Sequence, residues 1–183
     1  MADKPFINSK DLTDTIAAVT DNRALGEVTF SVAAHSTGGV AGETITGPIT
    51  QAGQQDTSRK GKFTLASDEP VPLLGGDSAV SPAEYILQGL AGCYIVSLTS
   101  LATKREIELE RIEVSLDFDI DLAGFLGIDD SVKRGAKEIR AEVSLTAPSA
   151  STEELQKLVD ALDTTSPIRD TLANPVDVVT TLK

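Results

Sequence analysis

Few residues in this chain are equipped for chemistry. There is one cysteine, Cys93, and one histidine, His35, among 183 residues. A zinc site draws three or four ligands from Cys, His and carboxylates, so this supply excludes the usual zinc centres and leaves open only a site built from carboxylates. Neither a metal nor a cofactor is expected. No G-x-x-x-x-G-K stretch ending in Ser or Thr occurs, and no G-x-G-x-x-G opens a helix after a strand, so the glycine cradles that hold nucleotide phosphates are missing. The G-x-S-x-G nucleophile elbow is missing too. Gly38-Gly39-Val40-Ala41-Gly42 reads as a turn. What remains is a thiol, and a free thiol, with a pKa of about 8.5, needs a cation, a donor or a helix start beside it to ionise at neutral pH.

The element carrying Cys93 announces itself. In Ser81-Pro82-Ala83-Glu84 the serine caps, the proline suits the first helical position and Glu84 reaches back to close a capping box. Tyr85–Ala102 is apolar on nearly every face, so the helix is expected to be buried on all sides. Gly89, Cys93 and Ser97 form a ladder of small side chains where another helix can approach closely, in a second subunit or in the same chain. Cys93 lies eleven residues past Pro82. At that distance, roughly 16 Å, the helix dipole has faded, and a neighbouring cation has to act instead.

The remaining pattern is mixed. Leu12, Ile16 and Val19 mark an amphipathic helix over Asp11–Val19. Val28, Phe30, Val32 and Ala34 alternate in a half-buried strand over Glu27–His35, with a hairpin partner from about Gly42. His35 falls in phase with Glu27 and Ser31, on the polar face. Gln51–Lys60 is read as a mobile polar loop, Lys62–Ala66 as a strand, and Asp68–Ser78 as a sharp break. Ile112, Val114, Leu116, Phe118, Ile120 and Leu122 alternate with an acidic wall, and Ile139, Ala141, Val143 and Leu145 repeat the pattern in an antiparallel partner. Gly124–Gly135 between them is a loop or a short helical excursion. Ser151-Thr152-Glu153-Glu154 is a second capping box, opening a helix over Thr152–Leu162. Ser166 is read as a helix cap before Pro167, Arg169 as a partner of Asp170 or of the acidic wall, and Pro175–Leu182 as a final strand. Strands, helix, strands, helix, strand give an α+β fold, taken as one domain over 1–183 with a helical extension over 1–24.

The run from Ser81 to Ala91-Gly92-Cys93 resembles the OsmC/Ohr superfamily, whose central helix opens with Pro and Glu near a capping residue and reaches Ala-Gly-Cys or Ala-Ala-Cys. Asp68-Glu69-Pro70 with Gly75-Gly76 resembles the loop before that helix, and Ser166-Pro167-Ile168 resembles the family's Cys-Pro-Val motif. The resemblance implies an OsmC-like α+β fold in an interlocked homodimer. It also implies a thiol, Cys93, that attacks an organic hydroperoxide and becomes a sulfenic acid. Where peroxide-reducing members place a second cysteine to close a disulfide, this chain has Ser166, so an external thiol must resolve the intermediate. The family's arginine from an early strand has no counterpart among His35, Ser36 and Val40, which leaves His35 and Arg59 as candidates to hold the thiolate. Glu84 is the candidate second catalytic group, one place later than the family's glutamate, which would fall at Ala83.

Charge narrows the partners. A net charge of −12 disfavours nucleic acid and anionic membrane surfaces, which draw affinity from clustered Lys and Arg. One cysteine forms no internal disulfide, and Met1–Asn8 carries no basic region followed by an apolar run, so a cytoplasmic protein without a secretory signal is expected. Ala83–Ala102 is nearly long enough to span a bilayer, yet Glu84 and Gln88 point to a core helix. The rival to the peroxidase is a non-catalytic member of the same fold that binds a small apolar ligand, with Cys93 as packing or as a redox sensor.

Overall fold

The computed structural model describes residues 4–183. Residues 1–3, where the segment Met1–Asn8 begins, lie outside the described part. The chain separates into two compact units, one over Lys10–Tyr85 and one made of Ile86–Lys183 with the described part of Met1–Ser9.

The first unit follows helix α1 (Ser9–Asp21) with a hairpin of β1 (Val28–Gly38) and β2 (Ala41–Gln51), paired antiparallel from Val28↔Gln51 to Gly38↔Ala41. Gly38 and Gly39 form its turn at φ 144° and 56°, values that glycine alone adopts freely. Gln51–Lys60 is not the loop expected from its composition. After Ala52 and Gly53, both at positive φ, β3 (Gln54–Asp56) pairs with Ile49–Gln51. Three polar residues give no apolar alternation, and backbone bonding alone makes that strand. Strand β4 (Thr64–Ser67) then pairs with Gly42–Ile45 on the same edge of β2. Thr46 ties the intervening turn down: its N–H donates to the Phe63 carbonyl at 3.0 Å, and its hydroxyl donates to the Arg59 carbonyl at 2.7 Å. Contrary to the half-buried expectation, β1 is exposed along its length, Phe30 and Val32 included.

Between β4 and the central helix the chain folds around one carboxylate. Asp68 is buried, its Oδ1 accepting from the Glu69 N–H at 2.8 Å and its Oδ2 from the Gly76 N–H, the Ser78 N–H and the Ser78 hydroxyl at 3.0, 3.1 and 2.7 Å. Gly75 is required here, because a Cβ at that position would lie 1.8 Å from the Glu69 carbonyl oxygen. The proline- and glycine-rich segment is therefore a closed loop with a polar centre.

Helix α2 (Pro82–Lys104) opens with the expected capping box and runs into the second unit. Its length and composition would suffice to cross a membrane, but its inner stripe is occupied by protein. Leu90, Tyr94, Leu98 and Ala102, spaced four apart, are buried with Leu158 and Leu162 and with the inward residues of β5 (Arg111–Asp119) and β6 (Glu138–Thr146). Those strands pair antiparallel from Arg111↔Thr146 to Asp119↔Glu138. Helix α3 (Leu122–Phe125) fills the excursion between them, so Leu122 caps no strand. Helix α4 (Thr152–Asp160) carries the second capping box; α5 (Leu162–Thr165) and α6 (Pro167–Ala173) follow. Within one chain Ile86, Ile95 and Val96 of α2 are exposed, because only the stripe at i, i+4, i+8 and i+12 meets a sheet. The strand expected over Pro175–Leu182 is absent. Its valines have no strand beside them among the described residues, and Val178, Val179 and Leu182 stand in solvent.

The Asp68 hub makes a pH prediction. Ser78's hydroxyl and amide hold its carboxyl below the usual range. The bonding therefore adds stability above the ordinary carboxylate pKa of about 3.9 and loses it as pH falls through the depressed folded value. Asp68→Asn is expected to lower the urea midpoint at neutral pH and to show a smaller further drop on acidification to about pH 3 than the parent. Equal drops would remove Asp68 from the acid response.

Candidate functional site

The site is built where α2 meets the turn between α5 and α6. Two small residues of α2, Cys93 and Ser97, are one turn apart, and the chain at 165–166 passes over them. The Ser97 hydroxyl donates to the Thr165 carbonyl at 3.4 Å, and the Ser166 hydroxyl donates to Cys93 Sγ at 3.1 Å. The ladder is thus used by a helix junction at its last two rungs, while its first, Gly89, has nothing within 4 Å of where a Cβ would stand. Cys93 is half-buried and free.

Ser166 is almost wholly buried and has two tasks. Its oxygen accepts from the Arg169 N–H at 3.3 Å as the N-cap of α6, and its proton is left to point at the sulfur. The expected helix cap is present, and the same hydroxyl supplies a donor to the thiol.

Tyr94, the residue after Cys93, lies on the buried stripe. Burial pushes its phenol up, and the Arg169 guanidinium beside it pulls the other way. Arg169 is paired with Asp163 at 2.9 Å, and not with Asp170 or the acidic wall. The helical turn at Leu162–Thr165 brings Asp163 close, a juxtaposition that charge patterning along a single helix does not reveal. The acidic wall has its own cation, Arg140, which bonds Asp119 and lies 3.4 Å from both Asp117 and Glu138.

The other candidates are placed as follows. Glu84 Oε2 accepts from the Ser81 N–H at 2.8 Å and the Ser81 hydroxyl at 2.7 Å, which holds its carboxyl below the usual range. His35 stands exposed on β1, its Nε2 4.0 Å from Glu43 Oε1 on the facing strand. Arg59 stacks its guanidinium 5.2 Å from the centre of the Phe63 ring. These three belong to the unit over Lys10–Tyr85, whereas Cys93 and Ser166 belong to the other. Within its own unit Cys93 has Ser166 as partner, with Tyr94 and Arg169 next in line. Tyr94 and the pairing of Arg169 went unnoticed in the sequence, where only the position of Tyr94 directly after the thiol hinted at it. Among the described residues no cluster of three or more His, Cys, Asp or Glu is arranged to hold a metal ion.

A cysteine on a central helix, facing a Ser-Pro step that caps the last helix, is the arrangement that the sequence motifs implied. The family described as OsmC-like protein matches residues 75–181, more than half of the chain. The chain belongs to that family. Solved structures with the same fold include an OsmC-like protein from Mycoplasma pneumoniae (TM-score 0.62, 16% identity, 79% of this chain and 87% of that one). An organic hydroperoxide resistance protein OsmC from Legionella pneumophila aligns with TM-score 0.54 and 17% identity over 79% and 88% of the two chains. The organic hydroperoxide resistance protein OhrB of Bacillus subtilis aligns with TM-score 0.50 and 22% identity over 81% and 93%. No curated protein matches. At these identities the likeness establishes the OsmC-like α+β fold.

The Tyr94–Arg169 neighbourhood can be checked in this OsmC-like protein by ultraviolet titration, since Tyr85 and Tyr94 are its two tyrosines. One phenol should titrate above the ordinary value of about 10. Arg169→Gln should move that phenol further up, because the cation that opposes burial is gone. An unchanged curve would separate Arg169 from Tyr94.

Proposed function

We propose that this OsmC-like protein reduces organic hydroperoxides through Cys93, with an external thiol as resolver, and that it works as a homodimer in the cytoplasm. The observation that carries the reading is the hydroxyl of Ser166 donating at 3.1 Å to a half-buried, free thiol. The Cys93 thiolate attacks the terminal oxygen of R–O–O–H; an S–O bond forms, the O–O bond breaks, and the departing alkoxide takes a proton to leave as alcohol. Ser166 donates to the sulfur while it is an anion, and it cannot close a disulfide. Two structural relatives named for organic hydroperoxide resistance support the substrate class. Pairing of two copies is supported by the uncovered apolar residues Ile95 and Val96 of α2 and Val178, Val179 and Leu182 of the tail, which a monomer leaves in water.

The deciding experiment is a stoichiometric dose of an alkyl hydroperoxide followed by mass spectrometry. The parent should gain one oxygen, about 16 Da, at Cys93, and Cys93→Ser should consume no peroxide. A parent that stays unoxidised would overturn the proposal and leave a non-catalytic OsmC-like binding protein. A second expectation follows from the 3.1 Å contact. Ser166→Cys should convert the oxidised protein to an internal disulfide, read as loss of water from the sulfenic acid and loss of both free thiols.

A further inference from the structure

A cleft of about 260 Å³ opens into the second unit between the inner stripe of α2, the start of β6 and helix α6. Two of its walls, Leu90 and Tyr94, are core residues only 4% and 7% exposed, so the opening reaches the core itself. Its floor is a piece of sheet left bare. Ala141 stands on the face of β6 whose Ile139, Val143 and Leu145 pack into the core, yet Ala141 is exposed, and the exposed Leu172 of α6 lines the same cleft. Around this apolar floor stand three cations, Lys133, Lys137 and Arg169, and one acid, Glu138. The chain as a whole has 28 acidic and 16 basic residues, so the cleft inverts the balance of the molecule. Most of these charges are matched: Lys137 pairs with Asp121 at 2.9 Å, Arg169 with Asp163 at 2.9 Å and Glu138 with Arg140 at 3.4 Å. Lys133 makes no ion pair among the described residues. Its place is set by the backbone. A Cβ on Gly124 of α3 would stand 2.6 Å from the Lys133 carbonyl oxygen and 2.7 Å from that of Val132, so only glycine lets this turn close against α3.

We propose that this cleft binds a small carboxylate with a short hydrocarbon body. A bare apolar floor and one unmatched cation at its rim call for those two parts in a single molecule. The hydrocarbon replaces water on Leu90, Ile139, Ala141 and Leu172, which is worth roughly fourfold in affinity for each methylene buried. The carboxylate pairs with Lys133, whose ammonium has no acid of its own, and the guanidinium of Arg169 adds to the positive field. A single unmatched charge supports one carboxylate and not a polyanion, which the net charge of −12 repels. The volume is at the small end for ligand pockets, which span about 300–1,000 Å³, so a long acyl chain is excluded. No contact with Cys93 or Ser166 is required, and the assignment stands apart from the peroxidase reading.

The test follows the backbone amide shifts of the full chain by NMR as hexanoate, hexanamide or acetate is added. Hexanoate should shift the amides of Ala141 and Leu172 saturably. At low ionic strength it should bind about tenfold or more tighter than hexanamide, which has the same body without the charge. Acetate, with the charge and no body, should bind at least about tenfold more weakly than hexanoate. The acid-to-amide ratio should fall to about twofold or less in about 0.5 M NaCl. Lys133→Gln should cut that ratio at low salt by about threefold or more, and Lys133→Glu should bring it to about one or below, with the affinity for hexanamide unchanged in both. Ala141→Leu fills the floor and should weaken both six-carbon ligands alike; if it folds poorly, the two substitutions at the exposed Lys133 decide alone. A ratio near one in the parent, a ratio untouched by both Lys133 substitutions, binding undiminished in a folded Ala141→Leu protein, or shifts that map away from Ala141 and Leu172 would each overturn the assignment. So would the absence of any saturable shift, the outcome if a second copy or another stretch of this chain covers the floor.

Discussion

Burial of one stripe of α2 is the constraint on which the second unit depends. Leu98 and Leu158 are wholly shut from water, and each such side chain contributes about 1.5–3 kcal/mol relative to exposure. Once Leu90, Tyr94, Leu98 and Ala102 are turned to the sheet of β5 and β6, helical geometry leaves Cys93 and Ser97 on the flank. There they meet the chain at 165–166 rather than the core. The thiol is accordingly half-buried and close enough to protein to take a hydrogen bond.

Much of this was legible in residue order. Both capping boxes formed where Ser-x-x-Glu occurs, at Ser81 and Ser151, because a cap depends only on residues three apart. The pairing of β5 with β6 was readable from alternation, which a sheet with one apolar face enforces. The failures have a common origin in partners outside the local window. Strand β3 is held by backbone bonds to β2 and has no side-chain signature. The tail Pro175–Leu182 carries the signature and finds no neighbour. Helix α2 is apolar all round, but one chain supplies material for only one of its faces.

At the candidate site the same division holds. Cys93 and Ser166 were found through motifs and are in contact at 3.1 Å. The polar neighbourhood of that contact was not legible, because Tyr94, Asp163 and Arg169 meet through the angle between two short helices. Glu84 shows how one residue can satisfy a local rule fully: two donors from Ser81 converge on Oε2, so its place in the sequence is explained by the helix start.

Ser166 links the thiol to the frame of the last helix. Its oxygen secures the first turn of α6 and its proton serves the sulfur, so the two duties cannot be separated by substitution. Alanine removes both at once, at about 1 kcal/mol for the cap alone. Cysteine exchanges a good cap for a weak one, since sulfur is a weak acceptor, and threonine alone among common replacements keeps an oxygen able to do both. Any exchange at this position therefore alters the first turn of α6 and the immediate neighbour of the sulfur together.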